Sequence, residues 1–137
     1  MKWSRLVLGG VIWAATYNLV WGVAWFSFMR AEWQAAFDAL GKHMLWTPAL
    51  WTVWVIVTLP LGAAVAAYVA GKESVLKASL VGSLAMWLII AGGSDIAFVG
   101  MSIPARTIVL DTFTNLVAML AAASAVSRAL SAVVSGH

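Results

Sequence analysis

The 137-residue chain has no cysteine, and only 9% of its residues are charged. The missing thiols exclude disulfides, thiolate metal sites and cysteine nucleophiles. The scarcity of charge excludes more. A soluble domain is nearer half apolar and a quarter charged, whereas this chain is 64% hydrophobic. It has too little polar surface to cover itself in water. Its surplus of positive charge is only +3 and is spread over the ends of apolar runs, so no nucleic-acid patch is expected. Histidine is also sparse. His43, near Glu32 and Asp38, is a lone imidazole in a loop, and one ligand does not make a zinc site. His137 is terminal. No metal or cofactor is expected, and the serines have no His–Asp arrangement to activate them, so no catalytic residue is assigned.

What the chain does have is long apolar runs. A bilayer core needs about 20 apolar residues per helix. Four such runs are predicted, at 6–29, 47–68, 77–98 and 105–127. The first follows a basic start, Met1-Lys2-Trp3-Ser4-Arg5, but it is too long for a signal-peptide core and reads as a retained membrane helix. The breaks carry turn and capping chemistry: Gly71-Lys72-Glu73-Ser74 after the second run and Gly100-Met101-Ser102-Ile103-Pro104 after the third. The expected fold is all-α: a polytopic membrane protein, four transmembrane helices in an up-down bundle, forming one domain over 1–137.

The first loop has a pattern of its own. Trp33, Phe37, Leu40 and Met44 recur at helical spacing, with Arg30, Gln34, Asp38 and Lys42 on other faces. This predicts a short amphipathic helix in the membrane interface. Positive residues set the orientation. Lys2, Arg5, Lys72, Lys77 and Arg128 fall on one side, and Arg30, Lys42 and Arg106 on the other. The rule that positive loops stay inside places both termini in the cytoplasm of a cell with this chain in its inner membrane. Proline 60 is expected to kink the second span.

Polar residues inside the spans are the candidate site. On the fourth span, Thr107, Asp111, Thr114 and Asn115 share one face with Ala118, Ala122 and Ala125, while Val109, Phe113, Leu116 and Leu120 face away. Small residues mark close helix packing in membranes, so Asp111 is expected to point into the bundle. Counting along each span puts Asn18 level with Asn115, close enough in depth for a hydrogen bond. The same count puts Asp95 level with Asp111 on a neighbouring helix. Gly92-Gly93-Ser94, just before Asp95, is expected to loosen or break the third span. Trp21 and Trp25 lie on the Asn18 face, where an indole N–H can donate to a carboxylate.

Two readings follow. In one, Asp95, Asp111, Asn18, Asn115, Thr107 and Thr114, with Trp21 and Trp25, form a ligand, proton or cation site, the default for ionisable groups inside a membrane. In the other, Asp95 caps a helix end and Asp111 is satisfied structurally by Thr107, Asn115, an indole, or a snorkelling Arg106 or Arg30. The nine tryptophans divide in the same way, between a stacking site for an aromatic ligand and ordinary packing.

The stretch Asn18-Leu19-Val20-Trp21-Gly22-Val23-Ala24-Trp25-Phe26-Ser27, followed by a charged, Trp-containing turn to Gly41-Lys42, resembles small bacterial membrane proteins with a Gly-x-x-Trp-Tyr-Ser element. Phe26 stands in place of the tyrosine. Asp95 and Asp111 with Pro104 between them resemble the third-to-fourth helix segment of a related four-helix family. These families are domains of unknown function. The resemblance implies a four-helix membrane fold and assigns no activity or site residue. The function expected is binding or transport of a small solute, coupled to a proton or cation through Asp111 and Asp95. The alternative is an accessory or structural subunit of a larger membrane complex. The expected partners are the lipid bilayer and either further copies of the chain or a membrane complex.

Overall fold

The computed structural model describes residues 3–70 and 72–135, with side chains to residue 131. Lys2, Gly71 and His137 lie outside the described residues. The chain is all-α. Helix α1 (Trp3–Ala24) runs through a π-helical segment (Trp25–Met29) into α2 (Arg30–Ala39). Helices α3 (Pro48–Val69), α4 (Val75–Gly100) and α5 (Ala105–Ser135) follow. Counting α1 to α2 as one unit, four helices among the described residues are long and apolar enough to cross a membrane.

Local chemistry sets the ends. Thr47 accepts a hydrogen bond from the Leu50 amide, and Pro48 occupies the first turn of α3, where its missing N–H costs nothing. Ser74 caps α4 in the same way, accepting from Lys77. Gly41 closes the first long helix in the left-handed region, at φ +65°. Pro60 lies inside α3, which runs on past it without a break.

Two expectations need correction. A helix over 30–39 is present, but no loop separates it from the first span. The helical unit is 37 residues long, about 55 Å at 1.5 Å per residue. The second concerns Gly92-Gly93-Ser94. Helix α4 is continuous there, and the Ser94 hydroxyl donates back to the Ile90 and Ala91 carbonyls at 2.9 and 3.1 Å. It satisfies the backbone instead of freeing it.

Helix α1 is the organiser. It packs extensively on α3 and α5, α5 packs on α4, and α3 meets α4 more sparsely to close the ring. The buried stripe of the first helical unit has a period of four: Gly9, Trp13, Tyr17, Trp21, Trp25, Met29 and Trp33. In an α-helix four residues overshoot one turn by about 40°, so such a stripe drifts off the core. The wider π turn at Trp25–Met29 rotates less per residue and counters that drift. Trp33 is thereby kept facing the bundle.

The two ends of the bundle differ in packing. Near the termini, Gly10 and Gly62 let α1 and α3 approach backbone to backbone, and Gly9 lies against Ala66. Trp13, fully buried, donates to Ser83 on α4 at 3.2 Å. We expect Ser83→Ala to destabilise the bundle by about 1 kcal/mol, the scale of an inter-helix hydrogen bond in a membrane. Unfolding midpoints in an SDS titration would measure it, and an unchanged midpoint would show the bond to be dispensable. At the other end indoles, not glycines, separate the helices, and a cavity opens.

Candidate functional site

The polar face of the fourth span is turned inward. Thr107, Asp111, Thr114, Ala118 and Ala122 are buried, while Val109 and Phe113 are exposed. Asp111 sits in a network that crosses three helical segments. The Trp33 indole N–H on α2 donates to its Oδ1 at 3.2 Å. The Asn115 amide, one turn along α5, donates to its Oδ2 at 2.9 Å and to its backbone carbonyl at 3.0 Å. The Tyr17 hydroxyl on α1 donates in turn to Asn115 Oδ1.

Above this network is a cavity of about 590 Å³. Five indoles line it, from Trp21, Trp25, Trp33, Trp46 and Trp54, while Asp111, Asn115 and Ser94 supply polar atoms. Its walls come from the first helical unit, the 44–46 loop, the N-terminal half of α3, the C-terminal half of α4 and α5. Val53 and Val57 line the cavity and are also well exposed, so it reaches the outer surface of the bundle beside α3. Four of the rings form a continuous cluster: Trp21 stacks on Trp25 at 5.1 Å and meets Trp54 at 6.3 Å, and Trp25 meets Trp46 at 4.8 Å, while Trp33 packs against Phe37 and Phe98 instead. The buried indole N–H groups of Trp21 and Trp54 have no protein acceptor.

The candidate residues divide accordingly. Asp111, Asn115, Trp21 and Trp25 line the cavity. Thr107 and Thr114 are buried on the same face of α5 but are not part of the lining. Asp95 is at the predicted level, because the Thr112 hydroxyl, adjacent to Asp111 in sequence, donates to both its oxygens at 2.8 and 2.9 Å. It is held on a different side of α5 and does not reach the cavity lining. Asn18 does not bond Asn115. Its amide donates to Thr58 on α3 and to the Ala14 carbonyl, both at 2.8 Å, because rotation of α1 turns Tyr17 and not Asn18 toward α5.

Arg106 does not snorkel to Asp111. It pairs with Glu32 at 2.6 Å, the one ion pair among the described residues. Arg30 lines a second hollow of about 520 Å³ with Gln34, Thr47 and Thr52, which shares Trp25, Met44 and Trp46 with the first. Asp111 is thus hydrogen-bonded but, among the described residues, has no cationic side chain within ion-pair distance. Among the described residues no cluster of His, Asp and Glu could hold a metal ion.

The indole that donates to the carboxylate is that of Trp33, not of Trp21 or Trp25, and Tyr17 joins the network with no counterpart among the expected residues. The signal that finds both Tyr17 and Trp33 is the period-four stripe that starts at Gly9. No protein family, curated protein or solved structure matches the chain, so its site rests on this geometry alone.

Proposed function

We propose that this chain is an integral membrane protein that binds a small, largely apolar solute in the indole-walled cavity, with Asp111 as the polar anchor. One observation carries the reading: a buried carboxylate with no cationic partner lies at the floor of a cavity of drug-ligand size. Intramembrane carboxylates are expensive, and a purely structural one is ordinarily paired with a cation. The distribution of Lys and Arg supports an orientation with both termini cytoplasmic in a bacterial inner membrane, which places the cavity in the outer half. If the solute is carried across, exchange of a proton or cation at Asp111 would couple the movement. A second copy of the chain would complete the path, because the end of the bundle nearer the termini is closely packed at Gly10 and Gly62.

The test is a binding screen on the chain in lipid nanodiscs, using neutral, anionic and cationic amphiphiles and reading tryptophan emission. Ser94→Phe, which fills the cavity from α4, is the control. Saturable binding that Ser94→Phe abolishes is the expected result. A screen with no such binder in any class would sink the proposal. Stoichiometric co-purification of a larger partner in that case would favour the accessory-subunit reading.

A further inference from the structure

The solute's chemical class can be argued from the same cavity, and this step rests on the solute-binding reading. We infer that the cavity is built for an organic monocation, an alkylated or aromatic ammonium whose charge sits at Asp111.

Charge balance is the first ground. A carboxylate removed from water needs a counter-charge or a proton. The protein offers Asp111 three hydrogen bonds, two of them to its side chain, but no cation, since Arg106 is engaged by Glu32. A carboxylate has about four acceptor positions. Two are used, by Trp33 and Asn115, so the carboxylate keeps open positions toward which the positive charge of a solute can turn, with or without an N–H.

The walls are the second ground. Indole is the side chain whose ring attracts cations most strongly, by about 0.5–2 kcal/mol per ring depending on desolvation. Five indoles line the cavity that Asp111 also lines, and Trp33 sits directly on the carboxylate, so organic cations are favoured there and anions are repelled. Inorganic ions are disfavoured differently. Hard metal cations need six or more oxygen ligands, whereas this lining offers few oxygens beyond those of Asp111, Asn115 and Ser94. An organic cation brings its own apolar surface and loses little hydration when it enters.

The third ground is access. Trp46, on the loop between the first helical unit and α3, is partly exposed and borders both hollows. The two hollows therefore adjoin at Trp46, and because Arg30 lines the second, the route for a cation is the opening beside α3.

The experiment compares benzyltrimethylammonium with its uncharged carbon isostere, neopentylbenzene, and with benzenesulfonate. Binding to the chain in nanodiscs is measured after subtracting uptake by empty nanodiscs. The cation is expected to bind at least 30-fold more tightly than the isostere, and Asp111→Asn is expected to remove most of that preference. A second measurement leaves the fold untouched. Uniform incorporation of 5-fluorotryptophan, which weakens the ring's pull on a cation, should lower cation affinity several-fold and leave the isostere unchanged. Equal binding of cation and isostere, or tighter binding of the sulfonate, overturns the cation inference while the solute-binding reading stands. Absence of binding by all three probes and by every class in the wider screen overturns both.

Discussion

Gly62→Ala is expected to be the most damaging single-methyl change in this protein. A β-carbon there would lie 2.6 Å from the Gly10 carbonyl oxygen, 2.9 Å from Trp13 Cβ and 3.1 Å from Gly10 Cα. None of these is the end of a flexible side chain. Relief requires α1 and α3 to move apart along an extensive contact. Overpacking of rigid cores costs about 1–3 kcal/mol and occasionally more, and this geometry belongs at or above the top of that range. Gly92→Ala and Gly93→Ala add the same methyl to exposed helix positions with nothing within 4 Å. They should be neutral or stabilising by up to about 1 kcal/mol each, because alanine loses less backbone freedom on folding. SDS unfolding titrations of the three variants in one lipid mixture would test the contrast. Equal stabilities would mean that α1 and α3 do not meet at Gly10 and Gly62.

The second large effect separates fold from function at Asp111. Asp111→Leu leaves the Trp33 N–H and an Asn115 N–H, both donors to the carboxylate, without acceptors. Because both donors are held in a buried network at the cavity floor, a loss of about 3 kcal/mol is expected from leaving them orphaned. Asp111→Asn behaves differently. Its oxygen still accepts from Trp33. If the Asn115 amide turns over, its oxygen accepts from residue 111 and its N–H can reach the Tyr17 hydroxyl, which accepts as well as donates. The network reverses direction and keeps the link between helices, but it gives up the Asn115 bond to the residue-111 carbonyl. A loss of about 1–2 kcal/mol, smaller than that of Asp111→Leu, is expected, together with loss of cation preference. Unfolding titrations and probe binding on the same preparations measure both. A severe loss of stability in Asp111→Asn would show that this carboxylate is there for the fold.

The spans were legible because hydrophobic length and capping chemistry are local. Runs near 20 residues, Ser74 and Pro104 all mark boundaries without reference to the rest of the chain. The inward polar face of α5 was legible for the same reason, since one helix's periodicity separates Asp111 from Val109 and Phe113. The partners of Asp111 were not legible. Choosing among Trp21, Trp25 and Trp33 depends on how far α1 is rotated against α5, and on a π segment that re-phases the stripe by less than one turn. Depth counting found that Asn18 and Asn115 share a level, but depth does not fix rotation. The glycine pair before Asp95 misled because low propensity alone does not break a helix when the next serine bonds back onto the backbone.

The long-range pairing of α1 with α5 has a consequence for how the protein is made. The chain is synthesised from its N-terminus, so Tyr17 on α1 and Trp33 on α2 precede their partners on α5 by 98 and 78 residues. During that interval they form a receptive seam. An aspartate entering hydrocarbon on a solitary helix is opposed by about 2.5–3.5 kcal/mol. The seam receives Asp111 with an indole donor, alongside a tyrosine that engages Asn115. The floor of the cavity is thus completed only by the last span, on contacts that the earlier helices present to it.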